Sequence, residues 1–365
     1  MKVVIAPDSF KGGPPATQVA RAVAVGWREV RNADEVVEVP LADGGEGTLD
    51  AMDAAVPDAR RHTVEAVTGP DGRPVDAEYL LLPDGTAVVE LASSSGLPLM
   101  GEPDPLGATT RGMGEVMRAA LEAGARRLLV GLGGSSSTDG AAGALSALGL
   151  RLLDDDGVPV PDGGAALARL ARVERDGLLD PPPDGVRVLT DVDNPLLGSQ
   201  GAAAVFGPQK GASPEQIDQL DQALTRYAEV LGGDPEAPGA GAAGGTAYGL
   251  ATVWGARLEL GSTAISRAAG LPDVLLGASL VVTGEGEFDA TSRHGKVPGA
   301  VLDAAADAGV AVAVVAGRVD RPAAQGVTFV VDLSTLAGSA ERSREEPLLY
   351  LTEAGRILGR YSEGL

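Results

Sequence analysis

The sequence contains no cysteine, two histidines and few aromatic residues. The absence of cysteine excludes disulfide bridges and zinc sites built from thiolates. Two histidines, His62 and His294, are too few to favour a histidine-based metal site. Hydrophobic residues make up 44% of the chain but aromatic residues only 3%. The core must therefore be built mainly from alanine, valine and leucine.

Lysine is also scarce. Only four of the 29 basic residues are lysines, and three of these four, Lys11, Lys210 and Lys296, lie next to glycine in apparent loops. A compact ammonium group next to flexible backbone is typical of phosphate sites, so this pattern favours phosphate binding. The alternative is a bias of composition that happens to leave three lysines in such places.

The formal net charge is −22, which argues against nucleic acid or an anionic membrane as a partner, because both require a basic surface. The apolar run at the N-terminus stops at Pro7 and has the length of a strand. No run of about 18 apolar residues occurs elsewhere, so a membrane span is not expected. We expect a cytoplasmic protein, either a monomer or a homodimer.

The length of 365 residues favours two domains. Apolar β-branched runs alternate with helical patterns at both ends of the chain, which predicts parallel α/β structure there. We predict a doubly wound parallel-sheet domain of the Rossmann or flavodoxin type from 1–60 plus 260–365. A second, mixed α+β domain, 61–259, is predicted to be inserted into it.

Two segments inside the predicted second domain stand out. Residues 61–92 contain strand-like runs separated twice by "PDG", which predicts an antiparallel hairpin or meander. Residues 232–245, "GGDPEAPGAGAAGG", have the lowest complexity in the chain. Their composition favours a flexible linker, and a glycine loop that closely approaches a ligand is the alternative.

Polar side chains and glycines follow most of the predicted strands, where open α/β sheets bind their ligands. Carboxylates there can hold Mg²⁺ and accept a hydroxyl proton, while lysines and backbone N–H groups neutralise phosphate. For each loop alone, ordinary turn and helix-capping chemistry explains the same residues. The candidates are Asp8, Ser9, Lys11, Asp43, Gly133, Gly134, Ser135, Ser136, Asp139, Asp191, Asp193, Asn194, Lys210, Glu285, Asp289 and Lys296.

Common signatures of other enzymes are absent. The chain has no Walker A pattern, no complete dinucleotide fingerprint, no protein-kinase motif set and no GxSxG elbow. The residues alone therefore indicate an acidic two-domain α/β protein that binds phosphate.

Seven collinear segments resemble the bacterial glycerate kinase family, in its glycerate 2-kinase class. The departures are "GGPPA" after "SFK", Ala42 where the family commonly has serine, and the lack of glutamine after Asp289. The matching segments are "APDSFKG", "PLADGGEGT", "GLGGSSSTDGAAG", "TDVDNPLLG", "AAAVFGPQKGAS", "PGAGAAGGTAYGL" and "VVTGEGEFDATSRHGKVPG".

The resemblance implies ATP-dependent phosphorylation of D-glycerate at the 2-hydroxyl, Mg²⁺ as a cofactor, and a site in the cleft between two α/β domains. Within it, Asp191 or Asp193 is our candidate for the base that accepts the hydroxyl proton, or for a Mg²⁺ ligand. Lys11 and Lys210 are expected to contact the transferring phosphate oxygens.

Other candidates have less specific roles. The glycines and serines of 133–137 are expected to bind either the triphosphate or the glycerate carboxylate, and Glu285 and Asp289 the metal. A contact with phosphate or substrate is expected for Asp8, Ser9, Asp43, Asp139, Asn194 and Lys296. His294 is better explained as an exposed loop residue than as an acid or base. The competing functions are a non-catalytic binder of sugar acids, a metal-dependent phosphate-ester hydrolase, and a kinase that forms 3-phosphoglycerate.

Overall fold

The computed structural model describes residues 1–10, 12–293 and 295–362. Lys11 and His294, for which roles were considered above, lie outside the described residues. Within the described part of the chain, no helix has both the length and the apolar character needed to cross a membrane.

Short strands alternate with helices along most of the chain. The strands are β1 (Lys2–Ile5), β2 (Glu35–Glu38), β3 (Arg60–Thr68), β4 (Pro74–Leu81), β5 (Thr86–Glu90), β6 (Arg127–Gly131), β7 (Arg151–Leu153), β8 (Arg172–Glu174), β9 (Val186–Leu189), β10 (Arg257–Glu259), β11 (Leu280–Thr283), β12 (Glu287–Phe288), β13 (Ala311–Ala316), β14 (Arg318–Val319) and β15 (Phe329–Asp332). The helices are α1 (Ala16–Val30), α2 (Thr48–Ala55), α3 (Ala92–Ser95), α4 (Arg111–Glu122), α5 (Ala142–Ala147), α6 (Ala202–Phe206), α7 (Pro214–Leu231), α8 (Ala242–Trp254), α9 (Gly261–Ala268), α10 (Leu271–Leu275), α11 (Val297–Ala308), α12 (Leu333–Ala337), α13 (Ala340–Glu345) and α14 (Pro347–Tyr361).

The chain forms two compact units. Unit 1 comprises Met1–Asp43, Asp50–Pro57 and Leu260–Leu365, and unit 2 comprises Gly44–Leu49 and Asp58–Glu259. The domain boundaries suggested by the sequence, after residues 60 and 259, stay a prediction.

Unit 1 is built on a parallel sheet with the strand order β15-β13-β11-β1-β2. A purely parallel sheet needs cover on both faces, because its strands are apolar on both sides. On one face Val3 and Val315 pack with Trp27 of α1 and Leu351 of α14. On the other face Val314 packs near Leu302 of α11. The predicted α/β fold class with a parallel sheet is confirmed.

Helices α1 and α14 approach each other at the level of their backbones. A Cβ atom added to Gly26 of α1 would lie 1.8 Å from the carbonyl oxygen of Thr352. A Cβ atom added to Gly355 of α14 would lie 2.2 Å from the carbonyl oxygen of Val23. Neither contact leaves room for a side chain, so both glycines are required by helix packing.

Gly26→Ala is therefore expected to destabilise the protein by about 2 kcal/mol, since the new methyl group must push the two helices apart. Urea denaturation of the variant and wild type measures the change. Gly177→Ala is a matched control, because a Cβ there would have only one neighbour, at 3.3 Å. A Gly26→Ala variant as stable as the control would contradict the close packing of these helices.

Unit 2 contains a six-stranded mixed sheet with the order β10-β9-β6-β5-β4-β3. Strands β5, β6, β9 and β10 are parallel. Strands β3, β4 and β5 form an antiparallel meander, which confirms the prediction made for residues 61–92. The four parallel strands end at the same edge of the sheet, and their following loops lie there.

The low-complexity segment 232–245 does not form the flexible linker that its composition favours; that expectation was wrong. It leads into α8, where Ala243, Gly244 and Gly245 have left-handed backbone conformations. Gly244 and Gly245 are buried. A Cβ on Gly244 would lie 2.2 Å from the carbonyl oxygen of Ser137. The glycines thus permit tight packing against the loop that follows β6.

Candidate active site

Three carboxylates in unit 1 follow neighbouring strands, and we call Asp8, Asp43 and Glu285 the acidic cluster. Asp8 follows β1, Asp43 follows β2 and Glu285 follows β11, and β1 pairs with both of the other strands in parallel. The carboxyl ends of parallel strands meet at one edge of a sheet, which brings the three loops together. The backbone N–H of Asp8 donates to the carbonyl of Gly284 at 2.8 Å.

Two members of the acidic cluster, Asp8 and Glu285, have raised pKa values. Burial, followed by the charges of Asp43 and Glu285, raises the pKa of Asp8 to about 8. Burial also raises the pKa of Glu285, against the opposing influence of Ser292 and Lys296. Glu285 is buried, and its Oε1 has no hydrogen-bond partner among the described residues. The arrangement is unfavourable in the absence of a cation.

The other predicted residues of unit 1 lie beside this cluster or serve local structure. The backbone N–H of Ser9 donates to Asp8 Oδ1 at 2.7 Å. Lys296 Nζ lies 3.7 Å from Glu285 Oε2, and the lysine side chain is 38% exposed. Asp289 Oδ1 accepts from the N–H of Thr291 at 2.8 Å and from its hydroxyl at 2.6 Å, which lowers the pKa of Asp289. Asp289 therefore caps the short 3₁₀ turn that follows it.

The acidic cluster suits Mg²⁺, which keeps several water ligands, better than a cation whose ligands all come from the protein. In the described ranges, no group of three or more histidine, aspartate or glutamate side chains is placed to hold a metal ion. Mg²⁺ usually uses one or two carboxylates and completes its octahedron with water and substrate phosphate. The buried Oε1 of Glu285, which no described residue bonds, and the nearby Asp8, whose pKa is raised, fit such a site.

In unit 2 the glycines after β6 serve close packing. A Cβ atom on Gly131 would lie 2.4 Å from the carbonyl oxygen of Gly44. A Cβ atom on Gly133 would lie 2.3 Å from the Cα atom of Gly45. The N–H of Gly133 donates to the carbonyl of Gly44 at 3.2 Å. Gly134 has a φ of 76°, a left-handed conformation that favours glycine.

The three serines that follow, Ser135, Ser136 and Ser137, are buried, and we call them the serine loop. The hydroxyl of Ser136 donates to the carbonyl of Ser95 at 2.8 Å. The hydroxyl of Ser135 donates to the carbonyl of Ser137 at 3.3 Å. These bonds give the loop a defined conformation at the carboxyl edge of the sheet.

Asp139 lies in the core of unit 2, at the start of two helices. Its Oδ2 accepts from the N–H of Thr110 at 2.9 Å, the hydroxyl of Thr110 at 2.8 Å and the N–H of Gly143 at 3.2 Å. Thr110 precedes α4 and Gly143 lies in the first turn of α5, so the carboxylate satisfies the free N–H groups of both helices. Burial raises the pKa of Asp139. Its predicted contact with phosphate or substrate stays a prediction.

Lys210 is buried as well, with 2% of its surface exposed. Its Nζ donates to the carbonyl of Ser137. Burial lowers the pKa of Lys210 to about 8, although the charge of Asp139 acts in the opposite direction.

Asp191 and Asp193 lie on the exposed loop after β9. Because β9 is paired with β6, this loop lies at the same sheet edge as the serine loop. Asn194 has a structural role. Its side-chain Nδ2 donates to the carbonyl of Gln200 at 2.9 Å, and its backbone carbonyl accepts from the N–H of Gly241 at 2.9 Å. The choice of base between the two aspartates stays a prediction.

Sequence reasoning missed Glu90 and the serines that follow it. Glu90, the last residue of β5, is 6% exposed and accepts from the N–H groups of Gly47 at 3.2 Å and Leu49 at 3.1 Å. It thereby fixes the glycine-rich segment that follows Asp43. Ser95 supports the serine loop, as described above. A signal was present, because "LASSSG" is a second run of three serines directly after a strand.

The comparisons with known proteins all indicate the same family. A family model described as "Glycerate kinase family" matches residues 3–362. The chain is 45% identical over 314 residues to a glycerate 2-kinase of Escherichia coli strain K12, covering 84% of this chain and 82% of that protein. It is 44% identical over 331 residues to a glycerate kinase of Bacillus subtilis strain 168, covering 88% of this chain and 86% of that protein.

A solved structure of a similar protein matches the fold of this chain. A crystal structure described as that of a glycerate kinase 2 from Salmonella typhimurium LT2 superposes with a TM-score of 0.85 at 39% sequence identity. The match covers 100% of this chain and 98% of that chain.

Proposed function

The chain belongs to the glycerate kinase family and is a phosphotransferase, and we propose that it transfers phosphate from ATP to D-glycerate, with Mg²⁺, to form 2-phospho-D-glycerate. The observation that carries the metal-dependent part of this proposal is the acidic cluster. Two of its carboxyl groups, Asp8 and Glu285, have raised pKa values, and the buried Oε1 of Glu285 has no hydrogen-bond partner among the described residues. A divalent cation bridging to phosphate would offset this repulsion.

We propose that Glu285 and Asp8 hold the Mg²⁺ and that Asp43 contributes charge nearby. The ion would neutralise the negative charge that develops on the transferring phosphate. The assignment of Asp289 as a ligand stays a prediction; its Oδ1 accepts from both the backbone N–H and the hydroxyl of Thr291.

The ammonium group of Lys296 is proposed to contact the phosphate oxygens. Its ammonium lies beside Glu285 yet remains partly exposed, so it can reach a ligand without a change of fold. Lys11, in the same strand-end segment as Asp8 and Ser9, is proposed for a similar role on the basis of its motif. A point charge suits phosphate, whose oxygens it can contact from several directions.

In unit 2 we propose that the loops after β6 and β9 hold the second reactant. The serine loop offers hydroxyls and backbone N–H groups for an anionic group, either the triphosphate or the glycerate carboxylate. Asp191 or Asp193 is proposed as the base, since both are exposed and need only come within hydrogen-bond reach of the glycerate hydroxyl.

Proton-coupled phosphorus NMR of the purified protein with ATP, Mg²⁺ and D-glycerate tests the proposal. We expect a new phosphate-ester signal split into a doublet, because carbon 2 of glycerate carries one proton. A triplet would assign the phosphate to carbon 3 and overturn the proposed product. No new signal from folded protein would favour a non-catalytic binder, and release of phosphate from an ester without ATP would favour a hydrolase.

A further inference from the structure

Lys210 ends a short 3₁₀ turn, Pro208–Lys210, that directs its side chain into the core of unit 2. The N–H of Lys210 donates to the carbonyl of Gly207 at 3.0 Å. Gly211 has a φ of 88°, so the chain turns there in a conformation that favours glycine. A Cβ on Gly207 would lie 2.4 Å from the carbonyl oxygen of Ala203. The two flanking glycines are thus explained by the turn itself.

The ammonium group holds one carbonyl of the serine loop. The oxygen of Ser137 accepts from Lys210 Nζ and from the hydroxyl of Ser135. The backbone of Gly244 lies against the same oxygen, since a Cβ there would be 2.2 Å away. The N–H of Gly140 donates to the carbonyl of Gly244 at 3.0 Å and ties the following residues to the same helix start. The serine loop is therefore fixed at Ser137 by segments from two other parts of unit 2.

A lysine this deeply buried needs a compensating charge. The charge of Asp139 favours the protonated form of Lys210, although burial outweighs it and lowers the pKa of the lysine. Asp139 also anchors the starts of α4 and α5 through Thr110 and Gly143. The ammonium of Lys210 is buried in unit 2 and is already bonded to the serine loop.

We propose that Lys210 is a positioning residue that acts through the serine loop and does not contact the transferring phosphate. It holds the loop in the conformation that binds one anionic reactant, the triphosphate or the hydroxy-acid carboxylate. This inference rests on the proposed function for its kinetic consequences, whereas its structural consequence stands on the contacts alone.

The kinetic test is Lys210→Met, which keeps most of the side-chain volume and removes the charge. We expect the KM of one reactant, the one bound by the serine loop, to rise by about tenfold to a hundredfold, as for loss of a hydrogen bond to a charged group. The KM of the other reactant and kcat should change little. Lys2→Met is the matched control: Lys2 Nζ donates to the Leu276 carbonyl at 3.1 Å in an exposed setting.

Two kinetic outcomes overturn the proposal. A fall in kcat per folded protein, with both KM values unchanged, would mean that Lys210 makes a contact only in the transition state. KM values equal to those of the Lys2→Met control would mean that the ammonium does not influence binding.

Amide hydrogen exchange supplies a test that does not depend on catalysis. In Lys210→Met we expect faster exchange in the peptide covering 133–140, and no change there in the control. Unchanged protection of this peptide overturns the proposal, even if the wild type phosphorylates glycerate. If the wild type has no glycerate-dependent kinase activity but the exchange result is as expected, the proposed function fails and the positioning role remains.

A milder variant covers the case in which Lys210→Met does not fold. Ser135→Ala removes the second donor to the same carbonyl and leaves the buried charges in place. We expect a smaller acceleration of exchange confined to the same peptide. No acceleration in this folded variant would overturn the idea that donors to Ser137 fix the loop.

Discussion

Glu285→Gln is expected to lower kcat by about a thousandfold and, at the same time, to raise the melting temperature of the ligand-free protein. The loss of activity follows from the proposed role of Glu285 as a Mg²⁺ ligand, since removal of one preorganised electrostatic contact commonly costs a factor of 10²–10³ in rate. The gain in stability follows from the unfavourable charge of the cluster. An active site that stores such strain typically trades stability for function.

The direction of the stability change can be derived from the pKa shift. The pKa of Glu285 is raised in the folded protein, so the folded state binds the proton more tightly than the unfolded chain. Above the ordinary pKa of a glutamate, the ionised side chain therefore reduces the free energy of unfolding, and this cost is complete once pH exceeds the folded-state pKa. Glutamine removes the cost. It also removes the contact with Lys296, a partly exposed pair at 3.7 Å that contributes little.

Thermal unfolding without Mg²⁺ at pH 8, together with kcat at saturating ATP and glycerate, measures both effects. Glu287→Gln is the matched control, because Glu287 is exposed and its partner Arg318 lies 3.7 Å away at the surface. We expect the control to change neither quantity appreciably. Full activity in Glu285→Gln would remove this residue from the metal site, and a lowered melting temperature would contradict the view that its charge is strained.

Each member of the acidic cluster is a candidate site residue on the sequence alone, for a simple reason. Asp8, Asp43 and Glu285 each follow an apolar run, and a parallel sheet brings the ends of such runs to one edge. The motifs around them also resemble those of the glycerate kinase family, to which the chain belongs. Their grouping is not evident from the sequence, because it depends on the strand order, which places β1 between β11 and β2.

The depth of a side chain was not accessible in the same way. The sequence predicts a phosphate contact for Lys210 and a phosphate or substrate contact for Asp139, and both stay predictions; that both side chains lie in the core of unit 2 is not evident from the sequence. Whether a turn directs its side chain inward depends on segments distant in sequence, here the serine loop and the start of α8. The same limit explains the wrong expectation for 232–245, because composition cannot distinguish a glycine that moves freely from one that packs tightly.

Lys210 and Asp139 are expected to be coupled energetically. Asp139→Asn weakens the bonds to Thr110 and Gly143 and removes a charge that favours protonated Lys210, while Lys210→Met removes the bond to the Ser137 carbonyl. Each single change should therefore destabilise the protein by about 2 kcal/mol. The double variant removes both charges and should cost less than the sum of the two, with a coupling of at least about 1 kcal/mol. Urea denaturation of the four proteins gives the cycle. Additive losses would show that the two side chains do not interact.

The dependence of stability on pH gives an independent view of the same pair. The pKa of Lys210 is about 8 in the folded protein against an ordinary value of 10.5, so the unfolded chain binds the extra proton between these pH values. Stability contributed by this group therefore rises as pH increases from about 8 towards 10.5. Burial, together with the charge of Asp139, also raises the pKa of Tyr227 well above its ordinary value. This tyrosine is present in both the wild type and the variant. The difference in free energy of unfolding between wild type and Lys210→Met should thus increase over this window, in favour of the wild type. A constant difference would mean that the ammonium of Lys210 is not buried against Ser137.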